Sequence, residues 1–210
     1  MWLALQRWFV MKRKNKQKNN DTRILLDFIA EAGLLKRVKR SGWWVLGIEG
    51  GESVADHSFR CAVIGYVLAK MEKADAYKVL LMTLFNDIHE ARISDLHKMA
   101  QRYINGKESE DKALAEQIAP LPQTVKGDLA QATGAYRAQT CRESIVARDA
   151  DILECLIQAK EYQEYGFKEA HKFMFKAPQF LRTKSARKLW ALAKAKPLNE
   201  WWMHLSGFER

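Results

Sequence analysis

The chain reads as an all-α protein of the helical-bundle kind on three observations. Apolar residues recur at intervals of three and four through several long segments, and no run shows the alternation and turn spacing of a sheet. Polar residues break into those apolar segments only at a few isolated points, a pattern of buried helices that share a polar site. At 210 residues and 48% hydrophobic content the chain can bury one sizeable core, so a single domain is expected over 21–210, behind a basic arm at 1–20.

The elements follow in order. From Asp21 the positions Ile24, Leu25, Phe28, Ile29 and Ala32 form a helical stripe that Gly33 can end. A Gly-rich connection over 41–51 resists helix formation and leads to Ser53, an N-cap for a second helix, Val54 to Glu72, with Phe59, Val63, Val67 and Leu68 facing inward. Ala76 to Ile93 reads as one long third helix, apolar until Asn86, Asp87, His89 and Glu90 arrive at its end. A polar Lys- and Glu-rich stretch from His97 to Leu114 is broken at Pro120-Leu121-Pro122 before another helical pair. Glu143 to Tyr165 is helical, its stripe of Ile145, Val146, Ile152, Leu153, Leu156 and Ile157 interrupted by Asp149 and Asp151. Later stripes, one with Ala186, Leu189, Trp190 and Leu192 and another with Trp201, Trp202 and Leu205, predict a C-terminus packed back on the bundle.

Composition narrows the function classes. Cys61, Cys141 and Cys155 form no CxxC pair and no even set, which argues against a disulfide framework or a structural zinc site and for a reducing, cytoplasmic setting. A net charge of +10 favours anionic partners. The arm places apolar Met1 to Val10 ahead of the basic run from Lys12 to Lys18, the reverse of an export signal, and its apolar part is shorter than the ~20 residues that span a bilayer. Trp2, Leu5, Trp8 and Phe9 offer a face for membrane contact, but a loosely ordered arm is the simpler reading. No GxxxxGK loop is present, which disfavours an ATP-driven motor or kinase.

The chemistry resides in His57, the block Asn86-Asp87-Ile88-His89-Glu90, and Asp151. Burying two carboxylates among Leu, Ile and Phe is costly without compensation, and a shared cation supplies it economically. Ion pairing with Arg60, Arg92 or Arg148 is the competing explanation.

Four ordered segments resemble the HD-domain metal-dependent phosphohydrolases, in their 5'-deoxynucleotidase-like branch. Arg40-Ser41-Gly42-Trp43 is similar to the branch's Arg-x-Gly-Trp, and Glu52-Ser53-Val54-Ala55-Asp56-His57 to its Glu-Ser-Val-Ala-x-His. Phe85 to Leu96 is similar to the segment around the His-Asp pair, with Asn86 in place of the histidine, and Ala147-Arg148-Asp149-Ala150-Asp151 to the closing Asp motif.

The resemblance implies that His57, Asp87 and Asp151 are metal ligands and that Asn86 fills the remaining ligand position. An asparagine carbonyl is a harder and weaker donor than imidazole, which moves the preference from cobalt or zinc towards manganese or magnesium. On a continuous helix Asn86 and Asp87 would lie ~100° apart and His89 would point ~160° away from Asp87. Glu90, one turn after Asn86, is the implied proton-transfer residue beside Asp87. Arg40 would hold phosphate, Trp43 would pack over the nucleotide with Trp44 in the core, and Asp95 would contact the sugar. The implied reaction is hydrolysis of a nucleoside monophosphate, most readily a deoxynucleotide. The alternatives are a catalytically silent nucleotide-binding protein that lost its metal through Asn86, and a nucleic-acid-binding protein with a steep salt dependence. No stable nucleic-acid complex is expected, and a homodimer involving Trp201-Trp202 is an option.

Overall fold

The structure is a computed structural model that describes residues 19–203 and 205. Most of the basic arm, and with it the membrane-contact expectation, lies outside the described residues. Among the described residues the chain is all-α: an isolated antiparallel bridge, Lys39 to Ser53, is the whole of its extended pairing. No described helix is long and apolar enough to cross a membrane.

Helix α1 covers 19–32 and runs into a 3-10 turn at Gly33–Lys36. The remaining α-helices are α2 (Ser41–Trp44), α3 (Val54–Glu72), α4 (Ala76–Phe85), α5 (Glu90–Ile93), α6 (Gly106–Ile118), α7 (Gln123–Ala138), α8 (Arg142–Glu164), α9 (Phe173–Lys176) and α10 (Lys184–Ala195). Helix α3 starts where the sequence places it, because Ser53 and Asp56 form a reciprocal capping box: Ser53 Oγ accepts from the Asp56 N–H, and the Asp56 carboxylate accepts from the Ser53 N–H at 2.8 Å. The polar stretch after His97 is itself helical, as α6, whose N-terminus Asn105 caps.

Helices α3, α4 and α8 pack around the main core, which includes Leu68, Val79, Met82, Ala150, Leu153 and Leu156. A second cluster, including Leu35, Val54, Ile88, Leu114 and Leu129, receives Ile24, Leu25, Phe28 and Ala32 of α1, whereas Ile29 faces solvent. The inward face of α3 differs from the expected one. Phe59, Val63 and Val67 are exposed, and the buried positions are Val54, His57, Ser58, Cys61, Ala62, Gly65, Ala69 and, as expected, Leu68. Small residues win this face because α4 approaches so closely: a Cβ on Gly65 would lie 2.9 Å from Thr83 Cγ2 and 3.0 Å from Val79 Cγ1.

The expected helix from Ala76 to Ile93 is two helices with a tightened link. Across this link the amides of Ile88, Glu90, Ala91 and Arg92 reach back three residues rather than four, as in Glu90 N–H to Asp87 C=O at 3.0 Å and Arg92 N–H to His89 C=O at 3.0 Å. Asn86, Asp87 and His89 therefore do not follow the angles of a continuous helix. Trp201, Trp202 and Leu205 are 70%, 46% and 75% exposed, so the last apolar stripe is not buried in the bundle as the sequence suggests.

Two outcomes test this packing. Gly65→Val should destabilise the protein by about 1–3 kcal/mol through overpacking against two stiff β-branched side chains, measured by urea unfolding. The second concerns Arg92, which donates to both carboxylate oxygens of Glu31 and so ties α5 to α1. Arg92 holds the Glu31 carboxyl below the usual carboxylate range against partial burial, with help from Gln117. Because the folded pKa is the lower one, this contribution is fully present above the unfolded value and is lost as pH falls through the folded value. Glu31→Gln should therefore cost about 0.2–1 kcal/mol at neutral pH, as expected of a partly exposed pair, and the difference from wild type should vanish on acidification.

Candidate active site

His57 lies one turn into α3 and is 1% exposed. Its Nδ1 contacts the carboxylate of Glu154, a fully buried residue of α8. The other Glu154 oxygen accepts from Arg60 Nε at 2.9 Å, and Arg60 continues to Glu161 at 2.7 Å and Gln158 at 2.6 Å. Burial opposes ionisation of Glu154, but the His57 and Arg60 contacts outweigh it and hold the carboxyl below the usual range. Glu154 is therefore an acceptor, His57 Nδ1–H is the donor, and Nε2 is aimed the other way.

What Nε2 meets are the two expected carboxylates, Asp151 Oδ1 at 3.3 Å and Asp87 Oδ2 at 3.6 Å. Burial and Arg40 push the His57 pKa down, yet the hydrogen bonds that the ring donates to Asp151 and Glu154 raise it well above its ordinary value. Without a cation the ring is thus an imidazolium between carboxylates. Asp151 is also engaged on its far side, where Oδ2 accepts from Arg148 at 2.9 Å and from the Tyr136 hydroxyl at 3.1 Å. The ion pairing weighed against metal binding is therefore present, but at Asp151 it occupies one oxygen and leaves the other on His57.

Asn86 caps α4, and its amide nitrogen donates to Asp87 Oδ1 at 2.7 Å. It thus joins the set through Asp87. With the amide oxygen turned there instead, two acceptors would face each other, an arrangement that a cation between them would stabilise. His89 is buried with Nδ1 unpartnered; burial lowers its pKa and keeps the ring neutral.

Arg40 and Asp95 lie on the same side. Arg40 Nη1 is 3.6 Å from Asp87 and 3.8 Å from Asp95, and the Ser41 N–H donates to Asp95 Oδ2 at 2.8 Å. Ser94 turns the chain for that contact by adopting φ 62 and ψ 168, a backbone region that favours glycine. Glu90 begins α5, not the same unbroken helix as Asn86, yet still faces this group. It is 8% exposed, and its Oε2 has no hydrogen-bond partner. Burial first, then Asp87 and Asp95, push its pKa up to about 10, so Glu90 carries a proton at neutral pH.

The expectation for Trp43 is corrected. The ring is 2% exposed, packs on Tyr162 and Phe173, and donates Nε1–H to Glu52 at 2.8 Å, so it cannot cover a nucleotide. Trp44, expected in the core, is the exposed one at 52%, edge-on to His97. The α2 turn points Trp43 into the third core cluster with Ile48 and Ala159 and sends its neighbour outward. Sequence reasoning missed Glu154 and Cys155. The signal was there in the spacing: Asp151, Glu154, Cys155 and Gln158 lie three and four apart on one helix, and Arg60 lies three after His57.

An imidazole nitrogen aimed at two carboxylates, with its other nitrogen held by a buried carboxylate, is a donor set that fits a divalent cation. His57, Asp151 and Cys155 present donor atoms within 4.8 Å of one another, as do Glu52, His57 and Glu154. A family model described as "HD domain" matches residues 32–192.

The chain belongs to the HD domain family.

Among its relatives, the 5'-deoxynucleotidase HDDC2 of Homo sapiens is 29% identical over 70% of this chain and 72% of that protein. The 5'-deoxynucleotidase YGK1 of Saccharomyces cerevisiae is 29% identical over 78% of each. The crystal structure of the PH0347 protein from Pyrococcus horikoshii superposes with a TM-score of 0.69 at 28% identity, covering 81% of this chain and 96% of that one. By this membership the HD protein is a hydrolase of the HD type.

The Glu154 contact yields a prediction. Glu154→Ala leaves Arg60 and His57 without their buried partner and should destabilise the fold by about 3–5 kcal/mol. Glu161→Ala, at the more exposed end of the same pairing, should cost less than half as much, and denaturant unfolding of the two variants makes the comparison.

Proposed function

We propose that this HD protein hydrolyses the phosphomonoester of deoxynucleoside 5'-monophosphates. The observation that carries the reading is the convergence of three groups at one point: His57 with its two carboxylates, the Arg40 guanidinium, and the buried Glu90 with its unpartnered Oε2. The names of the HDDC2 and YGK1 relatives support the substrate class, and the charge of +10 suits an anionic substrate.

A divalent cation held by His57, Asp87, Asp151 and the Asn86 amide would supply Lewis acidity at the phosphate. Those four donors alone are oxygen-rich and select manganese or magnesium over cobalt or zinc. Arg40 presents its fork of donors to the phosphate oxygens and offsets their charge. Glu90 holds a proton at its buried carboxyl and delivers it to the sugar oxygen as a water attacks phosphorus and the ester bond breaks, and the proton released by that water returns Glu90 to its acid form. Asp95, fixed by the Ser41 N–H, accepts from a sugar hydroxyl and orients the leaving group. Trp43 acts from behind, holding Glu52 and the α2 turn that carries Arg40.

The test is phosphate release from ribo- and deoxyribonucleoside mono- and triphosphates with added manganese, magnesium, cobalt or chelator. Release from deoxynucleoside monophosphates that needs a cation is the expected result, with Asp87→Ala inactive and Glu90→Gln slower in kcat by roughly 10²–10⁴-fold. Absence of release with every cation, while nucleotides still bind, would identify a silent binding protein instead. In that case Asn86→His should restore turnover.

A further inference from the structure

We propose that Cys155 is a ligand of the cation, supplying as a thiolate the strong donor that Asn86 does not. The proposal rests on the metal-dependent reading of the site and adds a donor to it. Asp151 and Cys155 are one turn apart on α8 and so share a face, and the Cys155 sulfur, the Asp151 carboxylate oxygen and the His57 nitrogen lie within 4.8 Å of one another. The sulfur is turned towards the site, where it accepts from Arg40 Nη2 at 3.5 Å. Glu90, 8% exposed and with Oε2 unpartnered, interacts electrostatically with the same His57 and Arg40.

The other two cysteines are occupied elsewhere. Cys61 is buried in the main core, and the Cys141 sulfur caps α8 by accepting from the Ser144 N–H at 3.4 Å. The Asn86 amide nitrogen is committed to Asp87. An imidazole, two carboxylates and a thiolate make a mixed nitrogen, oxygen and sulfur set of the kind that takes zinc or cobalt. Sulfur therefore reverses the manganese and magnesium preference that the oxygen-rich set would have. On binding, the metal–sulfur bond replaces the thiol S–H, and that proton passes to solvent.

The experiment uses the full chain, stripped with chelator and titrated with cobalt(II). Equilibrium dialysis reads bound cobalt, and near-ultraviolet absorption reads sulfur-to-cobalt charge transfer. Wild type should bind cobalt with a charge-transfer band, Cys141→Ser should keep the band, and Cys155→Ser should lose it. Zinc affinity should fall at least ~10-fold in Cys155→Ser while manganese affinity stays nearly unchanged. A measurement on wild type alone avoids any folding defect of the variant: X-ray absorption of the zinc-loaded protein should show one sulfur at about 2.3 Å. Bound cobalt without a band, zinc without a sulfur neighbour, or a band that survives in Cys155→Ser would overturn the ligand assignment and leave the metal reading intact. Failure to retain any cobalt or zinc would overturn both.

Discussion

The contact between His57 Nδ1 and the Glu154 carboxylate is the constraint on which the site depends. A histidine among apolar helices has two nitrogens and free choice between them. A fully buried carboxylate removes that choice, because it must be an acceptor and takes the Nδ1 proton. Arg60 then makes the buried charge tolerable by donating to the second oxygen and neutralising it, while Gln158 and Glu161 accept from the guanidinium and hold it in place. The result is an Nε2 with one direction available, towards Asp87 and Asp151.

The fold supplies the distances. Helix α3 can bring His57 close to α4 and α8 only because its inward face is built from Ser58, Cys61, Ala62, Gly65 and Ala69, which let backbones approach where larger residues would hold them apart. The tightened turns after α4 then break the helical register, so that Asp87 and Glu90 reach the same side although they lie on different segments. Ser94, at φ 62, then ends α5 and places Asp95 against Arg40 and Ser41. Departures from regular helix therefore coincide with the residues that carry charge, as expected where local strain is offset by a site.

Much of this was legible in the sequence. The helical class, the Ser53 cap and the span of α3 follow from periodicity and capping chemistry, and the four ordered segments named the family and brought His57, Asp87, Asp151, Arg40 and Glu90 forward. Periodicity failed where packing overrode hydrophobicity. Phe59, Val63 and Val67 look like a core face, but the tight helix contact requires small residues, which carry little hydrophobic signal. It also failed at Asn86 to His89, since i to i−3 bonding is not written in an apolar pattern. Two adjacent tryptophans are indistinguishable by composition, and only the α2 turn decides that Trp43 is buried and Trp44 exposed. Glu154 and Cys155 share a helix face with Asp151 by their spacing, but that spacing gains meaning only once His57 is placed opposite.

The measurement that tests the account most directly is nitrogen-15 NMR of the His57 ring, with and without added cation. The ring should be protonated at both nitrogens without cation, and added cation should remove the proton from Nε2 alone while Nδ1–H remains bonded to Glu154. A ring that keeps its Nε2 proton at saturating cation, or that loses the Nδ1 proton instead, would contradict it.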